Sequence, residues 1–193
     1  KGDLQVHTTH SDGANTIKEM AEKAKSLGYE YVGITDHAGN LRIAHSMDER
    51  KLLKQAKEIK KINIPGIKIL HGAEVNILED GSLDIHNRVL KALDFVVASI
   101  HSKFLLNKKA MTDRLIRAME NPYVNIIGHP TGRKVLLKEG YELDWPRIFE
   151  ASKRTNTFLE INAYPERLDL PDTIAMQALN TGCKLIINTD AHS

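Results

Sequence analysis

Short apolar runs alternate with longer amphipathic stretches over the whole chain. Seven of the runs read as strands: 3–7, 31–36, 67–74, 94–100, 124–128, 157–162 and 184–189. They are rich in Val and Ile and are bounded by polar residues or Gly, as buried strands are. The stretches between them carry helix signals. Thr16-Ile17-Lys18-Glu19 is a capping box and Gly28 a stop. Asp48 opens a basic helix reaching about Lys61, before Pro65 and Gly66. A short helix fits 87–92. Thr112 is placed to cap 113–120, Asp144 with Pro146 to open 145–154, and Asp172 to cap 173–180 ahead of Gly182.

Strands that alternate with helices pair in parallel, because a parallel neighbour needs a crossover. Seven such units in 193 residues predict an α/β fold, a small and incomplete TIM-like barrel forming one domain over 1–193. The rival, an open doubly wound sheet, usually carries a GxGxxG first turn, and none is present. The chain lacks an initiator Met and stops abruptly after Ala191-His192-Ser193, so a fragment of a longer chain is expected.

Composition narrows the function classes. Apolar content is 41% and mean hydropathy −0.33, and no apolar run reaches the ~18 residues of a membrane span. No membrane partner is expected. Cys183 is the only cysteine, which fits a reducing, cytoplasmic setting and a core position before a strand. A net charge of +2 and a pI near 8.6 suit an anionic substrate, although no basic stripe along the sequence announces nucleic acid.

The histidines carry the chemistry. His7, His37, His101, His129 and His192 each fall at or just past a predicted strand end, accompanied by Asp12, Asp36, Glu74 and Asp190. In a parallel barrel all strand C-termini open on one face, so these residues converge. Imidazole and carboxylate are ligands for Zn²⁺, Mn²⁺ and Fe²⁺. The set exceeds the needs of one tetrahedral ion and predicts two or three ions that activate water against a phosphate ester. No GxSxG elbow, Walker A loop or HExxH helix competes. Arg133, Lys103 and Arg167, just past strand ends, are candidate phosphate clamps. Asp36 is expected to orient His37 or a strand end, and His71, on the face opposite Glu74, to point outward. Phe104 and Tyr164 are candidates for stacking on a base.

The same residues resemble the PHP (polymerase and histidinol phosphatase) family. Its motifs stand as Asp3-Leu4-Gln5-Val6-His7 with Ser11-Asp12-Gly13, Ile34-Thr35-Asp36-His37, Gly72-Ala73-Glu74, Ser99-Ile100-His101-Ser102, Gly128-His129-Pro130 and Thr189-Asp190-Ala191-His192. Within the family the chain is most similar to the PHP domain of bacterial and archaeal family X DNA polymerases. That likeness rests on Leu41-Arg42-Ile43-Ala44, Pro130-Thr131-Gly132-Arg133, Glu160-Ile161-Asn162-Ala163 and Arg167-Leu168-Asp169-Leu170.

The resemblance implies a distorted (β/α)7 barrel with a trinuclear centre. One ion would use His7, Glu74 and Asp190, a second Asp12, His37 and His192, and a third Glu74 with His101 and His129. It implies a metal-dependent phosphoesterase, with His7, Glu74, Asp190 and Arg133 as its catalytic residues. The activity would be a 3′–5′ exonuclease, with 3′-phosphatase activity a further option, acting on single-stranded DNA or DNA 3′ ends beside an attached repair polymerase. The alternatives are a phosphatase of the histidinol-phosphate type and a non-catalytic docking module. One position departs from the family's first motif, His-x-His: Gln5 stands where an imidazole is expected, on the same strand face as His7.

Overall fold

A computed structural model describes residues 1–40 and 44–193; the Leu41-Arg42-Ile43 part of the polymerase-type motif lies outside the described residues. Two compact units emerge. The first comprises Lys1–Asn76, Asp84–Val97 and Thr189–Ser193, and the second Ile77–Leu83 with Ala98–Asn188.

In the first unit, β1 (Gly2–Val6), β2 (Tyr31–Ile34) and β4 (Lys68–His71) form a parallel sheet in the order β1-β2-β4. The two-residue β3 (His37–Ala38) pairs in parallel with β5 (Glu74–Asn76). Helix α1 (Ile17–Ser26) starts at the expected capping box, Thr16 with Glu19. It buries Ile17, Met20, Ala21 and Ala24, a single face at helical spacing, against Val6, Val32 and Ile34. Helix α2 (Glu49–Ile59) is capped by Asp48, and α3 is the short Asn87–Leu90.

Strand β6 (Val97–Ser99) runs from the first unit into the second. There β7 (Ile126–Ile127), β8 (Phe158–Asn162) and β9 (Leu185–Asn188) continue as parallel neighbours. Between them lie α4 (Lys108–Met119), α5 (Trp145–Thr155) and α6 (Asp172–Asn180). Asp144 caps α5 and Asn156 ends it in the left-handed conformation. The lone cysteine, Cys183, is buried.

Four expectations need correction. The strand in the run 31–36 ends at Ile34, and the run 67–74 is divided between two strands; the chain breaks at Thr35-Asp36 and at Gly72-Ala73, so His37 and Glu74 start new strands just beyond a break. Helix α4 begins at Lys108 with Asn107 as its cap, a full turn before Thr112, whose hydroxyl instead donates to the Lys108 carbonyl. Asp172 lies inside α6, and the cap position belongs to Pro171. His71 does not point to solvent. It is buried, and its Nε2 lies 3.1 Å from Gln55 Oε1 on α2.

Arg114 is a further departure from the sequence pattern. It lies on the buried face of α4 with Met111 and Leu115. Its guanidinium donates to the carbonyls of Ile77, Leu78, Ser102 and Lys103, which tie the segment following His101 to the helix.

The absence of a side chain at Gly72 has a steric origin. A Cβ on Gly72 would stand 2.6 Å from the Phe95 ring, and one on Gly33 2.5 Å from the same ring. Both strands therefore leave out a side chain where Phe95 packs. Gly72→Ala is expected to cost about 1–3 kcal/mol through overpacking. Phe95→Leu should recover part of that loss in a double-mutant cycle read by urea denaturation. Additive losses would show that the two positions do not share the space.

Candidate metal centre

The site in the first unit is built on the end of β1. His7 is fully buried, and its backbone N–H donates to Ala191 O at 2.8 Å, drawing the C-terminal segment beside it. Its Nε2 lies 3.0 Å from Asp190 Oδ1 and 3.5 Å from Glu74 Oε2, and its Nδ1 3.8 Å from Asp12 Oδ1. His37 places Nδ1 3.1 Å from Glu74 Oε2 and Nε2 3.5 Å from Asp12 Oδ2. The His192 ring stacks on His7 at 4.2 Å between centroids, with Nε2 3.6 Å from Asp12 Oδ1. Three imidazoles and three carboxylates thus share one small volume, with Asp12 as its more exposed member.

Two donor sets stand out in which all candidate ligand atoms lie within 4.8 Å of one another. They are His7, Asp12, His37 and His192, and His7, Glu74 and Asp190. Among the described residues neither ring nitrogen of His7 has a hydrogen bond, although both are buried. Carboxylate oxygens face them instead, an arrangement that a divalent cation satisfies and that is costly otherwise. The donor set, nitrogen and hard oxygen together, fits Zn²⁺, Mn²⁺ or Fe²⁺.

Supporting carboxylates hold the ligand segments. Asp36 accepts from Thr8 N–H and Thr8 Oγ at 2.7 Å, from Ser11 Oγ at 2.6 Å and from Gln55 Nε2 at 2.6 Å. It ties down the stretch between His7 and Asp12, just past the end of β1. Asp3 accepts the backbone N–H and hydroxyl of Thr189. Asp190 follows at φ +56, a left-handed conformation rare outside Gly, Asn and Asp. Gln5 is buried beside it, and its Nε2 donates to Asp190 Oδ1 at 3.4 Å.

The second unit carries His101 and His129, rings edge-to-face at 5.4 Å. His129 also has a positive φ, +29. Glu160 accepts its backbone N–H at 2.7 Å and also holds Asn162 and Asn188. Asp169 accepts from the N–H groups of Thr131 and Gly132. Arg133 donates to the carbonyls of Arg167 and Leu168, so two of its donors are engaged within the unit. Lys103 lies 3.8 Å from Glu79, and Lys138 Nζ stands 3.3 Å over the Phe104 ring, on the face expected for a base.

Asp3, Gln55, Glu160 and Asp169 were not singled out as functional in the sequence. A signal existed for two of them: Asp3-x-Gln5-x-His7 and Glu160-x-Asn162 set polar residues at alternate positions of otherwise apolar strands, on one face.

Comparison with known proteins follows the same motifs. The PHP domain family profile matches residues 3–164, across both units. The chain belongs to the PHP domain family. It is 46% identical to the "DNA polymerase/3'-5' exonuclease PolX" of Bacillus subtilis over its whole length, but spans only 34% of that protein. It is 34% identical to "Probable phosphatase TTE1963" of Caldanaerobacter subterraneus, covering 98% of this chain and 75% of the relative. The putative histidinol phosphatase HisK of Listeria monocytogenes has the same fold, with a TM-score of 0.81 over 100% of this chain and 95% of that one, at 18% identity. The fold class of this PHP domain is therefore the α/β, TIM-barrel-like one that the alternation of strands and helices predicted.

Electrostatics make the metal-free domain sensitive to pH. Burial pushes His37 down, but the Glu74, Asp12 and Asp190 carboxylates outweigh it and pull it up to about 9. His192 is likewise raised, against burial, by Asp12 and Asp190. Burial would raise Asp12, but hydrogen bonds from His192 and His37 hold it well below the usual carboxylate range. An unfolded His titrates near 6.5. The stability from protonated His37 is therefore complete below pH 6.5 and is lost as pH rises through 9. Melting temperature in EDTA should fall across that window. With Mn²⁺ present the fall should shrink or reverse, because binding requires neutral imidazole. A flat profile in EDTA would contradict the assignment.

Proposed function

We propose that this PHP domain is a metal-dependent phosphoesterase that removes nucleotides from DNA 3′ ends, with single-stranded DNA as its substrate. The single observation that carries the hydrolytic part is the pair of donor sets that share His7. The choice of DNA is supported by the 46% identity to the Bacillus relative, whose printed name pairs a DNA polymerase with a 3′-5′ exonuclease. By that analogy residues 1–193 act as one domain beside a polymerase in the cytoplasm; among the described residues no helix is long and apolar enough to cross a membrane.

In this reading His7, Glu74 and Asp190 hold one divalent ion and Asp12, His37 and His192 a second, while His101 and His129 supply two further imidazoles for a third. The bound ions supply Lewis acidity and a water of lowered pKa. The chain's own residues do the rest. Asp36 and Asp3 keep the ligand segments in register, and Gln5 donates to Asp190 and steadies it beside the ions. Arg133 is anchored through two donors on the Arg167 and Leu168 carbonyls, and offers its remaining Nη1 to the substrate phosphate. Arg133→Ala should then lower turnover about 10²–10³-fold, as loss of one electrostatic clamp does.

The decisive assay sets 3′- and 5′-end-labelled oligonucleotides against histidinol phosphate under Mn²⁺. Ladders that shorten from the 3′ end, abolished by EDTA, support the nuclease. The names of the phosphatase relatives favour a second reading, hydrolysis of a small phosphate monoester. Phosphate release from histidinol phosphate with DNA untouched would establish it. Inertness toward both substrates with metals bound would leave a docking module.

Gln5 offers a test on metal binding alone. Gln5→Ala removes the hydrogen bond to Asp190 and should weaken the affected ion by about tenfold. Gln5→His should raise Zn²⁺ occupancy relative to Mn²⁺, since imidazole is the softer donor. Metal content after dialysis, read by mass spectrometry, gives the answer. Unchanged content in both variants would remove Gln5 from the metal's surroundings.

A further inference from the structure

The second unit contains a cleft of about 840 Å³ that begins at Thr131, two residues beyond His129. One wall is the segment 134–138, closed by a bridge between Lys134 and Lys138, which presents Leu136 and Leu137 to solvent. The other walls come from the starts of α4, α5 and α6, through Lys108, Trp145 and Ile174. Lys108, Arg133, Lys134 and Lys138 line it among apolar surface, against two carboxylates, Glu139 and Glu142. Lys108, Lys134 and Lys138 have no ion pair among the described residues, as holds for most lysines here; what sets them apart is that they share one cleft. Lys138 is pushed down by burial and then by its cationic neighbours Arg167 and Lys134. Like charges gathered on a partly apolar cleft are stabilised by an anion that is also flat and apolar.

We infer that this cleft is the binding channel for single-stranded DNA. Lys108, Lys134 and Lys138 take its phosphates, and the half-buried Trp145, tilted against Phe149, stacks a base. A strand offers both chemistries at once, phosphates to ammonium groups and π-faces to an aromatic wall, and such grooves are tolerant of sequence. A small phosphate monoester would fill only a fraction of the cleft. Lys108 lies far in sequence from Lys134 and Lys138, so no basic stripe announces the three together. The inference rests on the nuclease reading above.

The test uses the Mn²⁺-loaded protein with an end-labelled oligo-dT and, as a control, bis-p-nitrophenyl phosphate, which is too small to need the channel. The double variant K134A/K138A should raise KM for the oligonucleotide about tenfold and leave turnover of the control unchanged. The salt dependence of kcat/KM should lose about 1.4 from its log–log slope, two phosphate contacts at ~0.7 each. Trp145→Ala should raise KM similarly with no change in slope, because stacking releases no counterion. Unchanged KM and slope in the double variant would overturn the channel. So would an equal loss on both substrates, which marks damage to the site or the fold. If the unmodified protein cleaves the control and never the oligonucleotide, the nuclease reading itself fails and the channel falls with it.

Discussion

The crowding of Asp12, Glu74 and Asp190 around one buried imidazole, His7, is the constraint on which the rest of this PHP domain depends. Unit charges about 4 Å apart repel by roughly 4 kcal/mol at an effective dielectric near 20. Two buried carboxylates, Glu74 and Asp190, with Asp12 at the more exposed side, cannot crowd one imidazole without positive charge among them. In the metal-free chain, protons on His37 and His192 supply it, which is why both imidazoles are raised against the direction that burial favours. Divalent ions would supply it more fully, and would take the same nitrogens. Folding and metal binding therefore draw on one electrostatic imbalance.

A site under such repulsion opens unless its backbone is held from outside, and carboxylates that hold no donor-set position do the holding. Asp3 grips Thr189 just before Asp190, and Asp36 grips Thr8 and Ser11 between His7 and Asp12. Glu160 and Asp169 grip the backbone from His129 to Gly132. Two of the residues so held, Asp190 and His129, have positive φ, a conformation that persists only where neighbours over-determine it. Burial raises Asp3 and Asp169, a cost that the amide and hydroxyl hydrogen bonds offset in the charged form.

The order of strands and helices was legible because each element repeats a local pattern: the capping box at Thr16, the Asp48 and Asp144 caps and the Val- and Ile-rich runs are all decided within a few residues. The gathering of His7, His37 and Glu74 was legible in part: counting strands puts His7 just past β1, whereas His37 and Glu74 begin strands of their own. What depended on distant partners was not. The breaks at Thr35-Asp36 and Gly72-Ala73 interrupt apolar runs that read as continuous, and the Phe95 ring that leaves no room for a side chain at Gly72 arrives from over twenty residues away. Thr112 carries a side chain suited to a cap, but Asn107 performs that role one turn earlier. Arg114 breaks the apolar face of α4, and only the four carbonyls it meets explain why.

Gln5 shows how far the site tolerates a change of chemistry. It occupies the strand face of His7 and lies in the same buried space, so shape and alternation are kept while the donor changes from ring nitrogen to amide. An imidazole there would compete with His37 and His192 for protons in the metal-free state. A carboxamide cannot take one, yet it still directs an N–H toward Asp190. The substitution thus removes a base from the cluster without leaving that carboxylate's neighbour unable to donate. The oxygen that remains is a hard donor in a site otherwise rich in imidazole, and hardness favours Mn²⁺ over Zn²⁺ at that one position. A metal bound beside Gln5 would meet that amide oxygen in place of a ring nitrogen, while the electrostatic demand for a cation, set by Asp12, Glu74 and Asp190, stays as it was.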